Sequence, residues 1–274
     1  LSGVSFIGNT AAQNGGGWAS HGSDAEFLDC IFDDNRANVS VSDGTQFGGG
    51  GMWLVASSPN IDNVSFSNNT TPGSGGALFL LHDGNFESSP SIENSSFVGN
   101  ISNVYGGGLF INSGCQPIVN SSLFKQNEAA DGGAISLAEY ANLKLTNSVI
   151  TNNNATTYSG AISVDASMLT LINCTISGNT GNYSSVDIFN SALANVTNSI
   201  LYDNTPSDID FTYANNSSTI IYSNFDGDWE GEGNINSDPL FVDSENDDYS
   251  LQYDSPCRDA GTTDVDGDGE DDIS

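Results

Sequence analysis

A short phrase, Phe-x-x-Asn with Ile or Leu sometimes replacing Phe, returns through the first three-quarters of the chain and constrains its fold more than any other feature. It stands at Phe6/Asn9, Phe32/Asn35, Phe66/Asn69, Phe97/Asn100, Phe124/Asn127, Ile150/Asn153, Ile176/Asn179 and Leu201/Asn204. Successive asparagines are 26, 34, 31, 27, 26, 26 and 25 residues apart. Most are followed by a small-residue pair and an apolar run, as in Gly75-Gly-Ala-Leu-Phe79, Gly106-Gly-Gly-Leu-Phe110, Gly132-Gly-Ala-Ile-Ser136 and Ser159-Gly-Ala-Ile-Ser163. A further Asn often precedes the Phe position by three: Asn63, Asn94, Asn147, Asn173 and Asn198. A period of this length marks a stacked repeat, whose units bury their apolar face only against neighbours.

About 25 residues hold three short strands and three turns, so one repeat predicts one coil. Period-2 alternation in Ile135-Ser-Leu137 and Ile162-Ser-Val164 puts the apolar member inside. Helical spacing is absent. Glycine pairs permit close approach of coils, and equivalent asparagines can bond from coil to coil as ladders. The expectation is an all-β, right-handed parallel β-helix of eight to nine coils over residues 1–235. Residues 236–274 then form an irregular acidic cap, beginning with Asn236-Ser-Asp-Pro-Leu-Phe-Val-Asp243. Solenoids need such atypical ends to block edge pairing.

The paired phrases Gly-Gly-Ala-Ile and Phe-x-x-Asn resemble the repeats of the chlamydial polymorphic outer-membrane protein family and related bacterial surface β-helices. The resemblance covers about residues 1–205. It implies a right-handed β-helix, exposure at the cell surface and a role in adhesion, without a catalytic site. The segment from Asn236 to Gly261 looks like the cap of many secreted bacterial β-helix proteins. The opening Leu1-Ser-Gly-Val-Ser-Phe6 already reads as mid-repeat, so a longer precursor is expected.

Four basic residues (Arg36, Lys125, Lys144, Arg258) face 35 acidic ones, for a net charge of −31. Such a surface repels nucleic acid and anionic lipid, attracts divalent cations, and suits a salty exterior where screening relieves self-repulsion. No apolar run is long enough to span a membrane as a helix. An extracellular or cell-surface location is expected.

Cys30 and Cys174 occupy the same repeat position five coils apart, about 24 Å at about 4.8 Å per coil, too far for a bridge. Cys115 and Cys257 fall in different coils, so all four thiols are expected free. Thirteen Asn-x-Ser/Thr sequons occur, among them Asn38, Asn69, Asn100, Asn154 and Asn216, many by chance in so Asn-rich a chain. His21 and His82 are isolated on turns, without a metal partner at sensible spacing.

Two candidate sites emerge. Asp264, Asp266, Asp268, Glu270 and Asp272 place acidic residues at every second position around glycines. That pattern lets one loop wrap calcium, and resembles the first nine positions of EF-hand and thrombospondin-type loops. The plainer alternative is a solvated acidic tail. Aligning coils on Met52, Leu78, Leu109, Ile135 and Ile162 puts Trp53, Phe79 and Phe110 outside on three consecutive coils, with Ser136 and Ser163 continuing the column. Exposed stacked aromatics would bind a glycan or a protein partner, including another copy of the chain. The insertions at 36–47 and 82–90 either wall this strip or fold down and bury it.

The function expected is a non-catalytic surface β-helix acting in adhesion, extracellular assembly or glycan and protein binding. The alternative is a polysaccharide lyase or glycoside hydrolase, since the fold alone does not exclude catalysis. Lyases of uronates need a base and cationic partners, and the four basic residues are scattered. A hydrolase needs clustered carboxylates, and none align across coils in the sequence. Ice binding would need a flat Thr-x-Thr array, which is absent.

Overall fold

The computed structural model describes residues 1–38, 47–211 and 217–264. Each repeat closes one coil of an all-β parallel solenoid of about eight turns, with the right-handed course that parallel crossovers take. Along a coil the chain visits four sheets, exemplified by Ser5–Ile7, Thr10–Ala11, Trp18–His21 and Glu26–Leu28. These are named here the phenylalanine, short, groove and leucine sheets. Among the described residues they hold nine, six, eight and eight strands, all parallel. The sequence predicted three strands per coil. The fourth is a two-residue strand directly after the ladder asparagine, as at Arg36–Ala37, Thr70–Thr71 and Glu128–Ala129. Its inward side chains are small (Ala37, Thr71, Ser102, Ala129), so it turns a tight corner without a large apolar signal.

The repeat phrase sets the register. Phe6, Phe32, Phe66, Phe97, Phe124, Ile150, Ile176, Leu201 and Phe225 pair in one inward column. The first five rings stack at 4.5, 5.0, 4.9 and 4.5 Å, with planes within 14° of parallel. Offset stacking at this spacing adds to area burial. Met52, Leu78, Leu109, Ile135 and Ile162 point inward from the groove sheet as expected, and all are fully buried.

Beside the rings, Asn9, Asn35, Asn69, Asn100, Asn127, Asn153, Asn179 and Asn204 form the expected ladder. From Asn9 to Asn179, each Nδ2 donates to the next coil's Oδ1 at 2.9–3.0 Å. From Asn35 onward it also donates to the carbonyl of the preceding coil's Phe-position residue. Asp208 ends the run by accepting from Asn204 Nδ2 at 2.8 Å. Asn69 and Asn100 are fully buried in this ladder, so two of the sequons hold amides that a glycosylating enzyme cannot reach. The outer asparagines Asn63, Asn94, Asn147, Asn173 and Asn198 have φ between 49° and 55°, the left-handed turn that Asn tolerates. Between coils, a Cβ at Gly107 would lie 2.3 Å from the Gly133 carbonyl oxygen, so the glycine pair is a requirement of coil spacing.

Cys30 and Cys174 sit in a column that also holds Val64, Ser95, Ser122, Ser148, Ser199 and Ser223, where each hydroxyl or thiol bonds a carbonyl two residues back. Their strands are five steps apart in the phenylalanine sheet, and all four cysteines are free. Burial pushes the Cys115 and Cys174 thiols up to about 12, which keeps them protonated and inert.

Past Phe225, Phe211 and Trp229 pack at 5.5 Å, and Phe225 and Trp229 at 5.8 Å, over the end of the core. An antiparallel pair, Phe241–Asp243 and Asp248–Leu251, joined by a 3₁₀ turn, then folds back along the phenylalanine sheet. It is held there by the Lys125–Asp247 ion pair and a Thr151–Tyr249 hydroxyl contact. Thr262 closes the cap by exchanging two 2.8 Å bonds with the Asn198 side chain.

Candidate functional site

Trp53, Phe79 and Phe110 do occupy one outward column of the groove sheet, in direct register. Exposure is where the expectation fails. Phe79 and Phe110 are fully buried and Trp53 is half-buried, so the three present no open binding strip. Rings one coil apart cover each other: Phe79 and Phe110 meet at 5.0 Å, and Tyr105 stacks on Phe110 at 5.4 Å. Of the two insertions, 82–90 forms a tight turn in which Asp83 accepts the Asn85 and Phe86 amides and meets His21 at 3.4 Å. Those amides hold the Asp83 carboxyl below its usual range. Most of the other, residues 39–46, lies outside the described residues.

Followed further along the axis, the same column changes character. After Phe110 it runs Ser136, Ser163, Asp187 and Asp210, and a second outward column beside it carries Ala138, Asp165 and Phe189. Tyr105, Asp131, Tyr158 and Tyr183 come from the turns that enter these strands, and Glu139 from the exit side. Together they enclose a cleft of about 630 Å³. From the coil of Tyr105 to that of Asp210 are four steps, about 19 Å at about 4.8 Å each.

Local chemistry holds these side chains in place. Asp131 is buried; it accepts the Ser159 amide at 3.1 Å and the Ser163 hydroxyl at 2.8 Å. Desolvation outweighs these bonds and raises its pKa. Asp165 accepts from Asn190 at 2.7 Å, and Glu139 from Ser113 at 2.8 Å. Burial, then the charges of Asp210 and Asp131, push Asp187 up to about 6. Tyr158 and Tyr183 stack on each other at 5.5 Å with 47% and 57% of their surface exposed. No Lys, Arg or His is among the lining residues.

Coil alignment therefore places Trp53, Phe79 and Phe110 in one outward column, while the open cleft lies further along the same sheet. The missed signal was the continuation of the column into Asp187 and Asp210, which a search for aromatic residues passed over. Among the calcium-loop residues, Asp264 is half-buried beside Thr262, while Asp266, Asp268, Glu270 and Asp272 lie outside the described residues. Among the described residues, no three His, Cys, Asp or Glu side chains converge closely enough to hold a metal ion. None of their helices is long and apolar enough to cross a membrane.

Residues 63–80 match the Chlamydia polymorphic membrane protein repeat, a stretch that runs from an outer-turn asparagine to the inward Leu80. No curated protein and no solved structure matched the chain. The repeat match and the parallel solenoid together support a β-helix like that of the polymorphic membrane proteins. They suggest an outer-membrane or cell-surface location, and point to a surface protein over an enzyme.

Proposed function

We propose, taking a surface β-helix of the polymorphic-membrane-protein kind as the premise, that this chain is a non-catalytic adhesion module that holds an extracellular glycan or protein partner in the Tyr105–Asp210 cleft. One observation carries the reading: half-exposed aromatic rings stand over a polar floor that spans consecutive coils. Aromatic faces supply contact area at low entropy cost, and fixed carboxylates accept directional hydrogen bonds. The solenoid makes the floor rigid, because the strands of Ser136, Ser163 and Asp187 are each paired on both sides, with the Asp210 strand at the edge. Phe110, itself packed on Phe79, supports this site from behind by backing the Tyr105 ring.

The test is a screen of glycans and extracellular proteins against the parent chain and the Tyr158→Ala/Tyr183→Ala double variant. Both rings are exposed, so the variant should fold normally. Binding that the variant loses supports the cleft; binding that it keeps removes the cleft from the function.

A hydrolytic reading has one observation in its favour. A carboxyl raised to about 6 beside further carboxylates is the arrangement that glycosidases use as acid and base. Release of reducing ends from an extracellular polysaccharide, abolished by Asp187→Asn, would establish it. A lyase is disfavoured, since no base of the Lys or Arg type lines the cleft.

A further inference from the structure

We propose that the occupant of the Tyr105–Asp210 cleft is an arginine-bearing segment of a partner protein, bound by stacking on the tyrosines and by forked hydrogen bonds to the carboxylates. The proposal rests on the reading of the cleft as a binding site and names the chemistry of its ligand.

Charge complementarity is the first argument. Asp131, Glu139, Asp165, Asp187 and Asp210 converge on one cleft, and no Lys, Arg or His is among its lining residues. The chain's four cations do not serve it: Lys125 is engaged by Asp247 in the cap, and Arg36, Lys144 and Arg258 line no part of the cleft. Carboxylates gathered this way repel one another, and a cationic ligand removes that repulsion on binding.

Shape and ring chemistry are the second. Tyr158 and Tyr183 stand about half exposed at 25° to each other, beside the Asp187 strand. A guanidinium is planar and weakly hydrated, so it stacks on a tyrosine face while its edge forks onto a carboxylate. An ammonium group offers neither the plane nor the fork. A neutral sugar would use the rings and leave the repulsion unrelieved. Asp187 and Asp210 lie one coil apart in the same column, so successive basic side chains of an extended segment can reach both.

The experiment is a fluorescence titration of the intact chain, at physiological salt, with a labelled arginine-rich nonapeptide. Its lysine counterpart, an amino-oligosaccharide and a neutral oligosaccharide are run beside it. The arginine peptide is expected to bind at least about tenfold more tightly than the lysine peptide or either sugar. Asp187→Asn/Asp210→Asn should weaken it at least about tenfold, and Tyr158→Ala several-fold. Glu93→Gln/Glu128→Gln removes the same charge from exposed sites on other sheets and should change it less than twofold. Affinity should also fall between pH 7.5 and 5, as Asp187 takes up a proton amid Asp131, Asp165, Asp210 and Glu139. Equal losses in the two double variants would mean attraction to net charge alone and would overturn the proposal. Cleft-dependent binding of a sugar, or of both peptides equally, also overturns it while leaving the cleft as a binding site. Cleft-independent binding of every probe removes both readings.

Discussion

Replacing Asn127 with alanine breaks the ladder at its middle, and the cost can be worked from its bonds. The Asn127 Nδ2 donates to Asn153 Oδ1 at 2.9 Å and to the Phe97 carbonyl at 2.8 Å. Its Oδ1 accepts the Asn100 amide at 3.0 Å and Asn100 Nδ2 at 2.9 Å. The variant leaves the buried Asn100 amide without this acceptor, at about 1–3 kcal/mol, and forfeits the other bonds at about 1 kcal/mol or less each. A total of about 3 kcal/mol is expected. Asn9 is exposed and only donates to Asn35, so Asn9→Ala should cost under about 1 kcal/mol. Urea unfolding followed by circular dichroism measures the difference. Native-state hydrogen exchange at the Asn100 amide locates it, without assuming that a repeat array unfolds in one step. Equal midpoints for the two variants, or unchanged exchange at Asn100, would refute the claim that the ladder holds coil to coil.

Three further outcomes are expected. Asp187 has a pKa raised from 3.8 to about 6, so its ionisation opposes folding: its contribution falls as pH rises from about 4 to about 6 and is level above. Asp187→Asn should therefore raise stability at pH 7 and not at pH 4. The gain is about 1 kcal/mol once screening of this half-exposed group is allowed for; a gain equal at both pH values would contradict it. Phe110→Ala should cost about 3–5 kcal/mol, as removal of a fully buried ring does, and a thermal melt shifted by less than a degree would show that the outward aromatics are not packed. Millimolar calcium should raise the melting temperature and protect the chain beyond Asp259 from protease if the loop from Asp264 to Asp272 wraps the ion; identical digestion with a chelator would mark a plain acidic tail.

What the sequence determined by itself was everything carried by periodicity. The Phe-x-x-Asn spacing yields the coil, the inward columns, the asparagine ladder and the separation of Cys30 from Cys174, because a parallel stack forces equivalent positions into register. The outward column was equally legible: Trp53, Phe79, Phe110, Ser136 and Ser163 align from their places in the repeat. Whether an outward side chain is open or covered is not a property of its position. Phe79 and Phe110 are buried because rings 5.0 Å apart shield each other and Tyr105 lies over Phe110. Only the tertiary structure decided that. It also brought Asp131 and Tyr158, which come from turns, over Asp187 and Asp210, which come from strands two and three coils beyond that of Asp131. Turns follow no period-2 rule, so their side chains meet only when neighbouring coils are stacked, and the burial and then the carboxylate repulsion that raise Asp187 exist only after that stacking.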